Sequence, residues 1–235
     1  MAVDDSYTKA LLHLDGADGA TVFRDETGKI WTGSGSAQID TAQSVFGGAS
    51  LLLASATSDY VSTSDHEDFN LAGNDWTFRW RIRFAVSNKN LCPFGQVVDK
   101  NNRFIIFKGD DGIFHFLAIS GGSAVFEYYI TAGDHGMTTN TWYDNELTRS
   151  GNNLYFFVNG ISKPLTQATT ISGKTIPNYS ASPCIGRAYW SSSYLYSDGW
   201  IDEMMIVNGA ALHTTDFTPP TSPYGIYMLK PIWFM

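Results

Sequence analysis

Residues 75–86, DWTFRWRIRFAV, decide the fold. Trp76, Phe78, Trp80, Ile82, Phe84 and Val86 occupy every second position, with Thr77, Arg79, Arg81 and Arg83 between them. Successive side chains of an extended strand point to opposite faces, so the stretch reads as one aromatic face and one basic face. At 100° per residue the same aromatics would scatter around a helix. A long strand that is apolar on one side and wet on the other belongs to an antiparallel sheet packed on a second layer, which predicts a β-sandwich. The arginine stripe is then expected to lie on the outer, solvated face, where cross-strand acids meet it or an acidic glycan or neighbouring subunit uses it.

Outward from that strand the chain alternates short apolar runs with turn signals. YTKALLHL (7–14) is a first strand, broken by DGADG (15–19). Short strands follow at 21–25, 29–32 and 36–40, then ASLLLA (49–54) and DYVS (59–62). RFIIFK (103–108), IFHFLAI (113–119) and AVFEYYI (124–130) make a meander through Asp110-Asp111-Gly112 and Gly121-Gly122. TWYDNELTRS (141–150) pairs with NLYFFVNG (153–160), and GWIDEMMIV (199–207) closes the domain. Residues 131–140 are a loop, 171–182 are irregular, and 188–198 are an aromatic loop. No helix exceeds one or two turns, and Ala210–Thr215 is its best position. A dozen short strands at regular spacing give two stacked sheets.

The chain has 235 residues, 22 Gly, two Cys and a formal charge of −8. That length accommodates one large all-β domain, taken as residues 1–224, with an apolar tail at 225–235. Net acidity opposes a general nucleic-acid or anionic-membrane surface, and no apolar run approaches the ~18 residues needed for a transmembrane helix. Cys92 and Cys184 are too sparse for a secreted disulfide scaffold and are expected to be reduced and buried. MAVDDSYTKA (1–10) has no apolar h-region, so a secretion signal is not expected. In the tail, Ile226, Tyr227, Leu229, Ile232, Trp233 and Phe234 need cover from water. They either strap the sandwich itself or dock on a neighbouring subunit.

LLHLDGADGATVFRDETG (11–28), FGGASLLL (46–53), DYVSTSDHEDFNLAGNDWTFRWRIRF (59–84), TWYDNELTRSGNNLYFFVNG (141–160) and GWIDEMMIVNGAALHTTDFTPPTSPY (199–224) resemble the concanavalin A-like jelly roll. More narrowly they resemble its laminin-G-like version in bacteriophage virion and tail proteins. The resemblance implies a sugar-binding or structural sandwich in a virion, made in the host cytoplasm, with other virion proteins, further copies of itself or a surface glycan as partners. It also implies a structural calcium held by Asp15, the backbone of Gly48, and Asp202. The residues themselves leave turn capping or arginine pairing as the other reading of Asp15 and Asp202. DGADGATVFRDE (15–26) is not an EF-hand, because Ala17, Gly19 and Ala20 stand where ligands and the turn glycine are required.

Hydrolysis on this fold needs two carboxylates facing across a sugar. The five Glu residues, Glu26, Glu67, Glu127, Glu146 and Glu203, form no such spacing. Only Glu127, in AVFEYYI, is expected mid-strand in a cleft, and it has no carboxylate partner two to five positions away. No nucleophile elbow accompanies the five His residues. The expectation is a non-enzymatic virion module, a decoration protein or tail adhesin; a lectin for host polysaccharide comes next, and a glycoside hydrolase ranks last. Sugar recognition falls on AYWSSSYLYSDGW (188–200): Tyr189, Trp190, Tyr194 and Tyr196 offer flat rings for a pyranose face, and Asp198 offers an acceptor for hydroxyls. The same rings suit a protein interface. His135, in GDHG (133–136), flanks that rim or faces solvent.

Overall fold

The computed structural model describes residues 5–225. Two antiparallel sheets form the sandwich. The first runs β14 (Ile161–Lys163), β13 (Asn153–Val158), β12 (Tyr143–Ser150), β7 (Trp76–Arg83), β19 (Gly199–Asn208), β5 (Ser50–Leu53) and β4 (Gln38–Asp40), with β1 (Thr8–Leu12) also paired to β19. The second runs β15 (Thr166–Thr169), β11 (Ser123–Ile130), β10 (Phe114–Ser120), β9 (Asn102–Lys108), β8 (Leu91–Asp99), β16 (Pro183–Ile185), β6 (Tyr60–Ser62), β3 (Ile30–Ser34) and β2 (Val22–Arg24). A separate hairpin, β17 (Arg187–Trp190) and β18 (Ser193–Tyr196), packs against the second sheet at β8 and β9.

The alternation in 75–86 does what it predicts as far as Phe84; Val86, beyond the end of β7, is 45% exposed. Trp76, Phe78, Trp80 and Ile82 are fully buried between the layers. Phe78 meets Phe94 and Phe104 at 4.7 and 5.4 Å, and Trp76 meets Phe104 at 5.8 Å, in tilted or edge geometries that suit ring quadrupoles. The β9–β10–β11 meander and the β12–β13 hairpin also stand where their turn residues place them. Both cysteines are free and buried, as expected.

The basic face of β7 is not wet. Arg79 and Arg81 are 5% and 9% exposed, because residues 210–224 cross over them. Arg79 donates through Nε and Nη2 to Asp144 (3.1 and 2.9 Å). Its guanidinium lies 4.9 Å from the Phe217 ring and 4.8 Å from that of Tyr224. Arg81 pairs with Asp144 at 3.0 Å and donates to the Pro220 carbonyl at 2.8 Å. The cross-strand acids are present, but they neutralise a buried layer. The strap is therefore residues 210–224; the six apolar tail positions from Ile226 to Phe234 lie outside the described residues.

Other expectations are corrected. Residues 188–198 are largely the β17–β18 hairpin rather than a loop. Ala210–Thr215 is not helical; among the described residues the single α-helical turn is α1 (Ala132–His135), ended by Gly136 in the left-handed conformation. The strand β8 escapes the pattern because Pro93 interrupts it, and a register shift between Leu91 and Phe94 accommodates the missing donor. The short edge strands β14 and β15 carry too few residues to show a period.

Candidate functional site

Two constellations draw side chains together. The first lies on the outside of the second sheet. In the hairpin, Ala188 faces Leu195 and Tyr189 faces Tyr194 across the ladder. Period-two alternation sends Ala188, Trp190 and Leu195 down onto Cys92, Ile105, Phe107 and Leu117, where they form a second apolar cluster. Trp190 rests 4.9 Å from Phe107 and 4.6 Å from His115. The opposite face carries Arg187, Tyr189, Tyr194 and Tyr196. Tyr189 and Tyr194 meet edge to face at 5.1 Å, and Tyr194 is 41% exposed. The Arg187 guanidinium lies 4.9 Å from the Tyr194 ring and 4.0 Å from that of Tyr60, which in turn approaches Tyr196 at 6.4 Å. Arg103 of β9 lies 5.8 Å from the Tyr189 ring. A row of alternating tyrosine rings and guanidinium groups thus crosses the outer surface.

Of the five residues expected at the sugar site, the hairpin brings Tyr189, Tyr194 and Tyr196 to this face. Trp190 turns beneath it, and Asp198 accepts a hydrogen bond from Ser55 Oγ (2.8 Å) at the hairpin base. Arg103, Arg187 and Tyr60 were not anticipated. Alternation within RFIIFK aligns Arg103 with Ile105 and Phe107, which was the one legible signal. His135 is also misplaced in the sequence reading. It is 2% exposed, with Nε2 bonded to the Gly112 carbonyl (2.9 Å) and Nδ1 accepting from the Met137 amide (3.0 Å).

The hairpin is fixed at its base. A Cβ on Gly95 would fall 2.3 Å from the Arg187 carbonyl oxygen, so only glycine lets β17 approach β8. The Cys92 amide donates to Ser197 Oγ (2.7 Å), and the Gly186 amide donates to the Cys92 carbonyl (2.8 Å). Burial pushes both thiols upward, which keeps them protonated and inert.

The second constellation lies in β19. Residues 199–201 pair with β5 and residues 204–207 with β1, so the ladder changes partner at Asp202 and Glu203. Glu203 takes a positive φ of 54° there, and both carboxylates are fully buried. Glu203 holds His13 Nδ1 at 3.0 Å and accepts from the Tyr224 amide at 2.6 Å. The hydrogen bond to Glu203 raises the His13 pKa. Asp202 Oδ2 accepts from the Val45 and Phe46 amides (2.8 and 3.3 Å). Asp15 sits against the adjacent turn: a Cβ on Gly47 would fall 1.8 Å from its Oδ1.

These positions bear on the implied calcium. Asp202 does cap the turn at 45–46, but neither aspartate pairs with arginine. Asp15 Oδ1 and Asp202 Oδ1 are buried without a hydrogen-bond partner among the described residues. Desolvation, opposed by the two amides and reinforced by Glu203 and Asp15, pushes Asp202 up to about 7. Desolvation and Glu203 raise Asp15 as well. Two orphaned hard oxygens in a patch of surplus negative charge fit a calcium ion. Among the described residues no group of three His, Cys, Asp or Glu side chains converges, so backbone carbonyls would complete the shell. The glycine packed against Asp15 is Gly47; Gly48 has open space around its Cα.

A polar cleft of ≈ 460 Å³ lies elsewhere, among Tyr7, Lys9, Asp68, Asn70 and Asn208. Its charges satisfy one another, with Asp68 at 2.5 Å from Lys29 and 3.9 Å from Lys9.

Domain 4 of AbnA, an extracellular GH43 arabinanase from Geobacillus stearothermophilus solved with arabinotriose, superposes with a TM-score of 0.56 at 16% identity. The match covers 87% of this chain and 94% of that one. The binding domain of botulinum neurotoxin DC, solved with rat synaptotagmin II, gives 0.63 at 14% identity over 90% of this chain and 50% of that one. The same domain in complex with SialylT gives 0.61 at 15% identity, covering 89% and 49%. The chain therefore spans about half the length of the neurotoxin domains. At these identities the likeness is one of fold. Comparison with curated protein sequences gave no match. Residues 55–215 match the laminin-G-type family model of the concanavalin A-like lectin/glucanases, and the chain belongs to that superfamily.

Proposed function

We propose that this chain is a non-catalytic binding module that captures saccharides on the outer face of the β17–β18 hairpin. The observation that carries the reading is the edge-to-face pair of half-buried Tyr189 and exposed Tyr194, flanked by polar and cationic groups and held on a hairpin anchored by Gly95, Cys92 and Ser197. A pyranose presents an apolar C–H face to flat rings, while phenol groups donate to its hydroxyls. The structural neighbours include domains solved with arabinotriose and with SialylT, which supports the reading by analogy of fold alone. Glu146 and Glu203 are sealed inside and bonded to His213 and His13, which removes two of the five glutamates from surface chemistry. On a glycan array, Tyr194→Ala is expected to weaken binding at least tenfold with the melting temperature unchanged. Silence of the native protein across the array, or full binding by the variant, overturns the assignment.

The setting proposed for the module is a bacteriophage particle, as the sequence motifs imply, with residues 225–235 as the docking segment and calcium on Asp15 and Asp202 as a structural ion. Deleting 225–235 is expected to abolish incorporation into particles and leave the sandwich folded. Incorporation at the native level overturns the docking role.

A further inference from the structure

The arginines of this chain solve burial in different ways, and one leaves it unsolved. A guanidinium stays charged at any ordinary pH, so removing it from water demands an acid or several carbonyls in exchange. Arg79 and Arg81 take Asp144. Arg149 donates to the Gly151, Ala72 and Lys174 carbonyls at 3.0, 3.3 and 2.7 Å. Arg103 is only 8% exposed, and its Nε is sealed without a partner. Among the described residues its guanidinium makes no hydrogen bond and no ion pair. Its neighbour is the Tyr189 ring, with Asp99 and Glu127 beyond salt-bridge reach. Desolvation accordingly lowers its pKa. Arg187, half-buried at the other end of the tyrosine pair, shares the sealed Nε without a partner among the described residues but not the shift: against desolvation, Cys184 and Tyr60 raise its pKa. Its guanidinium is held between Tyr60 and Tyr194, and its polar neighbour is the Cys184 thiol rather than an acid.

We propose that Arg103 and Arg187 form an anion subsite flanking Tyr189 and Tyr194, so that the saccharide taken there is acidic. The inference rests on the sugar-binding reading and adds the chemical class. The rings receive the pyranose face, and a guanidinium fork receives a sugar-borne oxyanion, carboxylate or sulfate, through its terminal nitrogens. The overall acidity of the chain makes this a local feature that favours acidic glycans over neutral ones by affinity rather than by steering.

The test is a panel of paired oligosaccharides, uronic, sialylated and sulfated, each beside its uncharged counterpart, titrated against the full chain. Acidic members should bind at least tenfold more tightly than their partners, with affinity falling as salt rises. Arg103→Gln should lose about ten- to a hundredfold toward acidic members and nothing toward neutral ones. It should also melt no lower than the native protein, because an unpaired buried charge does not hold the fold together. Preference confined to carboxylates or confined to sulfates identifies the oxyanion, and either supports the subsite. Equal binding of each pair overturns the anion subsite and leaves the sugar platform standing. Failure of every member overturns both. A lowered melting temperature with unchanged acid preference overturns the assignment and marks Arg103 as structural.

Discussion

At the scale of single residues, His135 shows how an unremarkable loop position becomes a stability determinant. Its Nε2 donates to Gly112 and its Nδ1 accepts from Met137, which fixes the neutral ring in one tautomer. Burial lowers its pKa, partly offset by the Gly112 bond and reinforced by Lys108 and Lys163. Burial lowers His115 as well. The folded pKa lies below the unfolded value near 6.5, so the unfolded chain takes up the proton first as pH falls. The stabilisation is complete above that value and is lost progressively below it. His135→Gln, which keeps a donor and an acceptor, should flatten the acid side of the stability profile. Urea midpoints at about pH 7.5 and about pH 5 measure this; an unchanged slope would assign the acid loss elsewhere. Gly47 makes a different point. Its φ of +59° and the 1.8 Å approach of Asp15 to a Cβ placed there mean that the glycine exists for its neighbour.

At the scale of elements, the hairpin is the part that turns a sandwich into a binding surface. Its attachment depends on Gly95, where any side chain would strike the Arg187 carbonyl. Backbone cannot yield as a flexible side chain can, so Gly95→Ala should cost about 1–3 kcal/mol and shift the Tyr189–Tyr194 face. A thermal melt read beside glycan binding is the check: loss of binding in protein that remains folded is expected, and unchanged binding would show that the hairpin tolerates displacement. How much of this was legible differs by element. The 75–86 strand declared its inner face through strict alternation, and Asn159-Gly160 declared its turn. The hairpin instead read as a loop, because Ser191, Ser192 and Ser193 interrupt a run in which aromatic rings stand at adjacent positions, so no strict alternation shows. The sequence could not show which ring faces down: Trp190 and Tyr189 are adjacent, and only docking on Phe107 assigns Trp190 inward. The arginines of β7 misled for a related reason. Alternation locates a polar face, but the cover over it comes from residues about 140 positions later, through Pro220 and Tyr224.

At the scale of the whole molecule, the carboxylates of β19 join three remote parts of the chain. Asp15 follows β1, Gly47 precedes β5, and Tyr224 brings the strap onto Glu203. Without a cation, burial raises Asp202 to about 7, so the folded form holds a proton more tightly than the unfolded chain. Its favourable contribution is complete below the ordinary carboxylate value near 4 and is lost as pH rises through about 7. His13, raised by Glu203, acts in the same direction, since its stabilisation fades as pH climbs through its folded value. The metal-free protein should therefore weaken toward neutral pH at this point in the structure. A calcium ion would reverse that trend by occupying the deprotonated site. At a concentration a hundredfold above its dissociation constant it would add about 2.7 kcal/mol, or about 5–10 °C in melting temperature for a chain of this size. Melting with chelator and with calcium, at about pH 5 and about pH 8, should give a small difference at the lower pH and the full difference at the higher one. Asp202→Asn should remove the calcium response and, in chelator at about pH 8, melt above the native protein, because it relieves a buried charge and can keep its acceptor toward the Val45 amide. If calcium shifts neither form at the higher pH, the orphaned oxygens of Asp15 and Asp202 reflect protonation alone, and the cluster is a pH-dependent clasp between the two ends of the chain.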